Sequence, residues 1–373
     1  MIFVAIKKQI MNPEDKAFKN LFDKDNRSSI EALDRAQFIA FAPYVWEASK
    51  LLMELGILEK IDQAGKEGIS HEALSAVIDF PPYGLRILLE ASLGLELTFL
   101  KDNHYCLAKT GYFLLHNEMT RVNFNFMKDV CEPGIGTIKS SVENDKPMGL
   151  KALGPWPTVY EGLSQLAPQV QKSWLAFDHF YSDRSFDEIL NILTTYEFES
   201  IIDIGGNTGK WTKAILNIAP DKKVGFVDLP GQIEMAKKQL AKKSYFDNIH
   251  WYPQNILNEQ NELPEGYDAI WMSQFLDCFS DEQIVQILTK CHEVLNEEGY
   301  VFINETFWDR QQFKTSAFSL QMTSFYFTSI ANGNSQMYDS KVFFKFIEQA
   351  GFEIKAIHDL LGHSHTLLVL QKK

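Results

Sequence analysis

The 373-residue chain contains no run approaching the roughly 18 unbroken apolar residues that a membrane span requires, so it is expected not to cross a membrane. Cysteine is scarce. Cys106, Cys131, Cys278 and Cys291 form no CxxC pair and no Cys/His cluster of zinc-like spacing, which points to free buried thiols in a reducing cytoplasm and to no metal site. Excess positive charge is also missing: 36 Lys and Arg stand against 49 Asp and Glu, and the net charge of −13 repels a phosphate backbone, so nucleic acid is not the expected partner. Met1 to Ile6 is apolar but too short for a signal-peptide core, and Lys7 and Lys8 follow it instead of preceding it, so it reads as a mature terminus. Internal repeats and low-complexity segments are absent.

What is present is an ordinary globular composition, 45% hydrophobic and 23% charged, in a chain longer than one core usually serves. Two domains are expected, 1–118 and 119–373. In the first, Val45, Ala48, Leu51, Leu52 and Leu55 recur at helical spacing from Phe41 to Ile57, with Gly56 as the stop. Ser70 opens a short helix through Val77, and Pro81-Pro82 precedes a second one carrying Leu85, Leu88 and Leu89. Two short strands, Leu97–Leu100 and Tyr105–Leu107, flank the turn Lys101–His104. Helices followed by a two-stranded wing predict a mainly helical winged-helix module. Its second helix, Tyr83 to Leu95, carries Arg86 as its only basic residue, which leaves a groove-reading role without phosphate contacts or base readers.

Residues 119–199 read as a helical linking layer rich in large apolar side chains, among them Trp156, Trp174, Phe177, Phe180 and Tyr181. From residue 200 strands alternate with helices: Ile201–Ile204, Lys223–Val227, Ile249–Trp251, Ala269–Met272 and Tyr300–Ile303 predict an α/β domain with a mostly parallel, Rossmann-like sheet. Ser280 with Gln283 forms a capping box ahead of a helix burying Ile284, Ile287, Leu288 and Cys291. Phe352–Ile357 and Thr366–Leu370 predict a closing antiparallel hairpin. His363 and His365, flanking Ser364, read as its solvated turn.

The chemistry concentrates at Asp203-Ile-Gly-Gly-Asn-Thr-Gly209, a glycine turn between a buried strand and a helix. Ligands of open α/β sheets bind at such strand ends, where glycine lets backbone and ligand approach closely. A dinucleotide site wants GxGxxG, but Asn207 occupies the second glycine position, which disfavours NAD. Asp228 closes the second strand, where a carboxylate accepts both hydroxyls of a ribose.

Taken together these motifs resemble the class I S-adenosylmethionine-dependent O-methyltransferases of small molecules that carry an N-terminal winged-helix dimerisation domain, the plant caffeate and bacterial polyketide type. Leu55-Gly-Ile57, Tyr105–Leu115, Phe177–Ser185, the glycine motif Asp203–Gly209, Val227-Asp-Leu-Pro230 and Phe275–Glu282 carry the resemblance in order along nearly the whole chain. It implies a homodimer and a cofactor site in which Asp203, Gly205 and Gly209 form the turn. Gly205 then meets the amino-acid part, Asp228 the ribose, and Leu229, Asn255 and Ile256 the adenine, with Ser273 where plant members often have lysine. It also implies an apolar acceptor pocket against Thr306–Ile330, to which Phe177, Tyr181, Met322, Phe325 and Tyr326 are assigned.

Where that family commonly reads Leu-His-Asp-Trp-Ser-Asp-Glu, this chain reads Leu276-Asp-Cys-Phe-Ser-Asp-Glu282, so Asp277 replaces the general-base histidine. Glu305 matches one of the two acids that orient that histidine, and the other falls on Met337. An unperturbed Asp, about 6 pKa units below a phenol, faces an uphill transfer of roughly 8 kcal/mol. Burial beside Glu305, or an acidified acceptor hydroxyl or carboxylate, would narrow the gap. The expectation is methyl transfer from S-adenosylmethionine to a flat aromatic or polyketide-like acceptor through Asp277 and Glu305. Two rivals stay open: a relative that uses the bound cofactor without methyl transfer, and a non-enzymatic winged-helix sensor of the nucleoside.

Overall fold

Alternation within the buried strands shows how this sequence makes a sheet covered on both sides. In the strand Ala269–Ser273, Ala269 and Trp271 enter one hydrophobic core while Ile270 and Met272 enter another. The computed structural model describes residues 21–373, so the stretch at residues 1–6 lies outside the described residues. Residues 22–125 and 126–373 form two compact units.

The first unit consists of helices α1 (Ser29–Ala40), α2 (Ala42–Glu54), α3 (Ile57–Gln63), α4 (His71–Val77) and α5 (Pro82–Gly94), the antiparallel hairpin β1 (Thr98–Lys101) and β2 (His104–Leu107), and then α6 (Lys109–His116) and α7 (Glu118–Phe126). Gly56 ends the predicted first helix by taking φ +68°, a left-handed conformation that costs glycine little, and the chain reverses into α3. Ser70 caps α4 by accepting the Ala73 N–H at 3.2 Å. Asp102 and Asn103 both have positive φ, as a tight two-residue hairpin turn requires. Leu52, Ile57, Leu58, Ile61, Leu85 and Leu89 form its core. α1 buries none of its residues.

The second unit begins with helices α8 (Ile138–Asn144), α9 (Val159–Gly162), α10 (Pro168–Ser182) and α11 (Phe186–Leu193). It continues as β3 (Ser200–Ile204), α12 (Lys210–Ile218), β4 (Lys223–Asp228), α13 (Pro230–Leu240), β5 (Ile249–Pro253) and β6 (Ala269–Ser273). After these come α14 (Asp281–Val294), β7 (Tyr300–Glu305), α15 (Lys314–Tyr326), α16 (Ser340–Gln349), β8 (Phe352–Leu361) and β9 (His365–Lys372). The sheet order is β5-β4-β3-β6-β7-β9-β8, with β5 to β7 parallel and the closing hairpin antiparallel. α14 and α16 cover one face through Ile284, Ile287, Leu288, Phe343 and Ile347, and α11, α12 and α13 the other through Ile189, Leu193, Trp211, Ile215 and Ile233. Because the chain winds outward from β3 to β4 and β5 and then returns to β6, the strand order reverses beside β3. A crevice opens there at the carboxyl ends of the strands.

The closing hairpin departs from expectation in one respect. His365 is fully buried, with neither ring nitrogen hydrogen-bonded, so only His363, stacked on Phe180, belongs to an exposed turn. Burial pushes the His365 imidazole down to about 3 and keeps it neutral. Among the described residues no helix is long and apolar enough to cross a membrane.

Leu288 is fully enclosed between α14 and the sheet. Leu288→Ala is expected to lower stability by about 2–5 kcal/mol in urea unfolding of the full chain, through lost transfer energy plus a cavity.

Candidate active site

β3 delivers its last residues into the crevice, and the glycine turn sets its floor. Gly205 takes φ +74° and donates its N–H to the Val227 carbonyl at 2.9 Å, tying the turn to β4. A Cβ on Gly205 would stand 2.1 Å from the Phe275 ring, and one on Gly206 2.5 Å from Phe226, so neither position admits a larger residue without displacing a neighbour. Asn207 follows at φ +49°, one of the few non-glycine types that adopt this region readily. Its N–H donates to Asp228 Oδ2 at 2.8 Å, and its side-chain amide donates to Asp178 Oδ2 at 3.2 Å. Gly209 takes φ +78° and begins α12 but does not line the cleft, and its would-be Cβ points at Leu240 and Ala236. Its part is to turn the chain. Asp203 sits beneath the turn, 2% exposed, and accepts the Thr212 hydroxyl at 2.5 Å, while burial pushes its carboxyl up to about 7.

Asp228 ends β4 with each oxygen held by a backbone N–H, Oδ2 from Asn207 and Oδ1 from Leu229 at 2.7 Å. Each oxygen keeps a further lone pair, the requirement for taking two vicinal hydroxyls. Burial raises this carboxyl to about 6 against those two bonds. Leu229, Asn255, Ile256 and Ser273 line the same cleft. Asn255 uses its side-chain oxygen to accept the Leu257 N–H at 2.9 Å, and Lys290 of α14 fixes the segment by donating to the carbonyls of Ile256 and Asn258 at 2.9 and 2.7 Å. Ser273, ending β6, accepts from the Asn304 amide at 2.9 Å.

Asp277 lies in the short helical turn Leu276–Cys278 after β6, and Glu305 ends the neighbouring strand β7. Glu305 is 1% exposed. Its Oε1 accepts the N–H groups of Phe275 and Leu276, both at 2.9 Å, while Oε2 is buried with no hydrogen-bond partner. The carboxylate thereby fastens the turn that carries Asp277. Asp277 is 5% exposed and accepts the Cys278 S–H at 3.4 Å. It does not itself line the cleft; Cys278 and Tyr160, on which its charge acts, do. Burial pushes Asp277 up to about 7, with Asp178 adding to the rise, and pushes Glu305 well above the carboxylate range, with Asp277 adding to it. The structure thus places side by side two acids that cannot both ionise cheaply. Met337 packs at 4% exposure and receives the Thr306 hydroxyl on sulfur at 3.4 Å.

The aromatic residues assigned to the acceptor divide differently. Phe177 stacks on Phe126 at 3.9 Å and meets Tyr181 edge-on, and Tyr326 accepts the Trp174 indole N–H at 2.6 Å. Met322 and Phe325 are 44% and 43% exposed, and none of the five lines the cleft. The wall on that side comes instead from Tyr160, Trp174, Asp178, Cys278, Phe279 and Asn332. Trp174 and Asp178 stand one helical turn apart on α10, so the sequence signal for them was a single acid on an aromatic helix face. Asn332 braces the wall by donating to the Cys278 carbonyl at 2.6 Å. Among the described residues no group of three or more His, Cys, Asp or Glu is placed to hold a metal ion.

A nucleoside cleft at the reversal point of such a sheet, with an acid at the end of β4, defines a class I α/β cofactor-binding domain of the methyltransferase type. Residues 171–353 match the family described as the O-methyltransferase domain, and residues 34–105 that described as the Dimerisation2-like domain. The L-tyrosine C(3)-methyltransferase of Streptomyces lavendulae is 20% identical over 84% of this chain and 85% of its own. The caffeic acid 3-O-methyltransferase of Catharanthus roseus is 28% identical over 75% and 80%. With the demethylspheroidene O-methyltransferase of Rhodobacter capsulatus the alignment takes in 59% of this chain and 53% of the relative, at 20% identity. The mitomycin 7-O-methyltransferase MmcR shares the fold at TM-score 0.67 and 16% identity, over 92% of this chain and 98% of that one. Human N-acetylserotonin methyltransferase, solved with S-adenosylmethionine, shares it at 0.61 and 15%, over 94% and 99%. Residues 171–353 carry an O-methyltransferase domain, and the chain is an S-adenosylmethionine-dependent methyltransferase enzyme.

The cleft fits that cofactor, since Asn207 Oδ1 and Gln274 Oε1 are buried in lining residues without any protein partner. Asp228→Ala is expected to weaken S-adenosylhomocysteine binding by about 10- to 100-fold in calorimetry, the loss of a charged acceptor. Asp277, raised in the folded state, contributes stability while protonated, and that contribution is lost as pH rises through about 7. Asp277→Asn keeps the neutral shape at every pH. The melting temperature of Asp277→Asn relative to wild type is therefore expected to be higher at pH 8.5 than at pH 5.5, and an unchanged difference would place the Asp277 carboxyl outside that range.

Proposed function

We propose that this enzyme methylates a hydroxyl of a flat aromatic or polyketide-like small molecule, with the Cys278 thiol, which lines the cleft and donates to Asp277, relaying the acceptor's proton to that carboxylate and Glu305 sharing the charge. The observation that carries this is the buried pair itself. With Asp277 raised to about 7, the mismatch with a phenol falls from about 6 units to roughly 3, or about 4 kcal/mol. Bound S-adenosylmethionine supplies an electrophilic methyl on a sulfonium. The protein's own residues do the rest: Asp228 takes the ribose hydroxyls, Leu229, Asn255 and Ile256 flank the adenine, Gly205 gives the amino-acid part close backbone approach, and Asp203 and Gly209 hold the turn. Trp174 and Tyr160, with Phe177 and Tyr326 packed behind them, form the apolar side against which an acceptor is oriented.

The tyrosine C(3)-methyltransferase among the relatives favours a second reading. A phenolate is nucleophilic at its ortho carbon as well as at oxygen, so the same base serves either atom.

The first unit supports assembly as a homodimer: α1 buries nothing, and Ile30, Leu33, Phe38, Phe41 and Tyr44 are exposed along α1 and α2. The domain assignment 1–118 and 119–373, a cytoplasmic location and a small molecule instead of nucleic acid as partner complete the reading. The partner is supported by the net charge of −13 and the location by Cys106, Cys131, Cys278 and Cys291 being free thiols.

Labelled methyl is expected to pass from S-adenosylmethionine to a phenolic acceptor, with product NMR separating oxygen from carbon. Asp277→Asn is expected to slow turnover by about 100-fold or more with S-adenosylhomocysteine affinity within about threefold, and equal turnover removes Asp277 from the reaction. Light scattering is expected to give twice the 42.8 kDa chain mass.

A further inference from the structure

The cleft as a whole is acidic to a degree that methyl transfer to a neutral phenol does not require. Glu161, Asp178, Asp183, Asp203 and Asp228 line the cleft against the single ammonium of Lys210, and Lys210 is spent on Asp183 at 2.5 Å. S-adenosylmethionine brings one net positive charge, which leaves the excess of carboxylates uncompensated. Behind the wall stand Asp277 and Glu305, and Glu305 Oε2 is buried with no partner.

Asp178 is the acid of this set that lies between the glycine turn and the aromatic wall. It sits one helical turn from Trp174 on α10, and its charge acts on both Asp277 and Tyr326. Its two partners, the Asn207 amide at 3.2 Å and His179 Nδ1 at 3.6 Å, both meet Oδ2. Oδ1 remains for a ligand. Tyr160, lining the same cleft, has a buried hydroxyl whose neighbour is the Cys278 thiol. A buried carboxylate with one oxygen free, in a cleft also lined by an indole and a phenol, is a combination that receives an alkylammonium group, by ion pairing and hydrogen bonding to the carboxylate within an aromatic surround. A carboxylate in the same place meets like charge in a poorly solvated cleft.

We propose that the acceptor carries a protonated amine beside its reacting hydroxyl, and that Asp178, against Trp174 and Tyr160, is the residue that selects it over neutral and carboxylate-bearing analogues. This rests on the methyl-transfer reading of the cleft and narrows its substrate class to amine-bearing phenols. Asp277, behind Cys278, remains the sink for the hydroxyl's proton, and Asp178, which lines the cleft, takes the ammonium.

Calorimetric titration of the full chain saturated with S-adenosylhomocysteine tests it with three matched catechols: 2-(3,4-dihydroxyphenyl)ethylamine, 4-ethylcatechol and 3-(3,4-dihydroxyphenyl)propanoic acid. The amine is expected to bind about 10-fold or more tighter than the neutral catechol, the acid most weakly, and Asp178→Asn to bring amine and neutral catechol within about threefold of each other. Equal affinities, a preference for the acid, an amine preference that survives Asp178→Asn, or no binding of any catechol overturns the proposal. The first titration, of S-adenosylhomocysteine alone into both proteins, shows whether the cofactor cleft is intact in each. Its failure in the wild type would strike the methyltransferase reading of the cleft, whereas its success without amine selection strikes only the inference about Asp178.

Discussion

Carboxylates buried at strand ends and satisfied by backbone N–H groups in place of cations are the constraint on which the site depends. Asp228 closes β4 and receives Asn207 and Leu229; Glu305 closes β7 and receives Phe275 and Leu276. Each bond does two things. It fixes a turn, the glycine turn in the first case and the turn bearing Asp277 in the second, and it holds a charge where water cannot screen it. Burial raises every one of these acids, Asp203 to about 7, Asp228 to about 6 and Asp277 to about 7, because the N–H bonds offset only part of the lost hydration. A positively charged cofactor entering such a cleft meets charge that is already in place and needs no reorganisation.

The same constraint explains how an aspartate can stand where related enzymes are expected to carry histidine. An ordinary carboxylate is far too weak a base for a phenol, but a carboxylate forced to share a desolvated corner with a second one is not ordinary. Glu305 is structural and electrostatic at once: Oε1 ties down the Phe275–Leu276 backbone, and Oε2 is left bare beside Asp277. Removing it would loosen the turn that keeps Asp277 buried, and burial is what raises Asp277, so the two roles are separable only by substitutions at Asp277.

The parallel sheet, its closing hairpin, the capping box at Ser280 and the turn at Gly56 were all legible in the sequence, because each rests on local chemistry: apolar strand runs, a Ser/Gln pair three residues apart, a glycine at a left-handed position. The cofactor side was legible for the same reason, since strand, glycine turn and strand-end acid are contiguous. The acceptor wall was not. Tyr160, Trp174, Cys278 and Asn332 come from distant segments, and aromatic residues at helical spacing along Phe177–Tyr181 and Met322–Tyr326 look alike whether they pack on Phe126 or on a ligand. His365 failed for a related reason: a polar residue near a hairpin turn reads as solvated, and only the packed structure reveals that the turn is buried on that side.

The central claim is that a buried carboxyl pair takes the proton in place of histidine, and its most direct test is the pH dependence of single-turnover methyl transfer with the cofactor saturating. The account predicts that the wild-type rate rises with pH through an inflection near 7 and that this inflection disappears in Asp277→Asn, leaving only the titration of the acceptor. The same inflection in both proteins would contradict it.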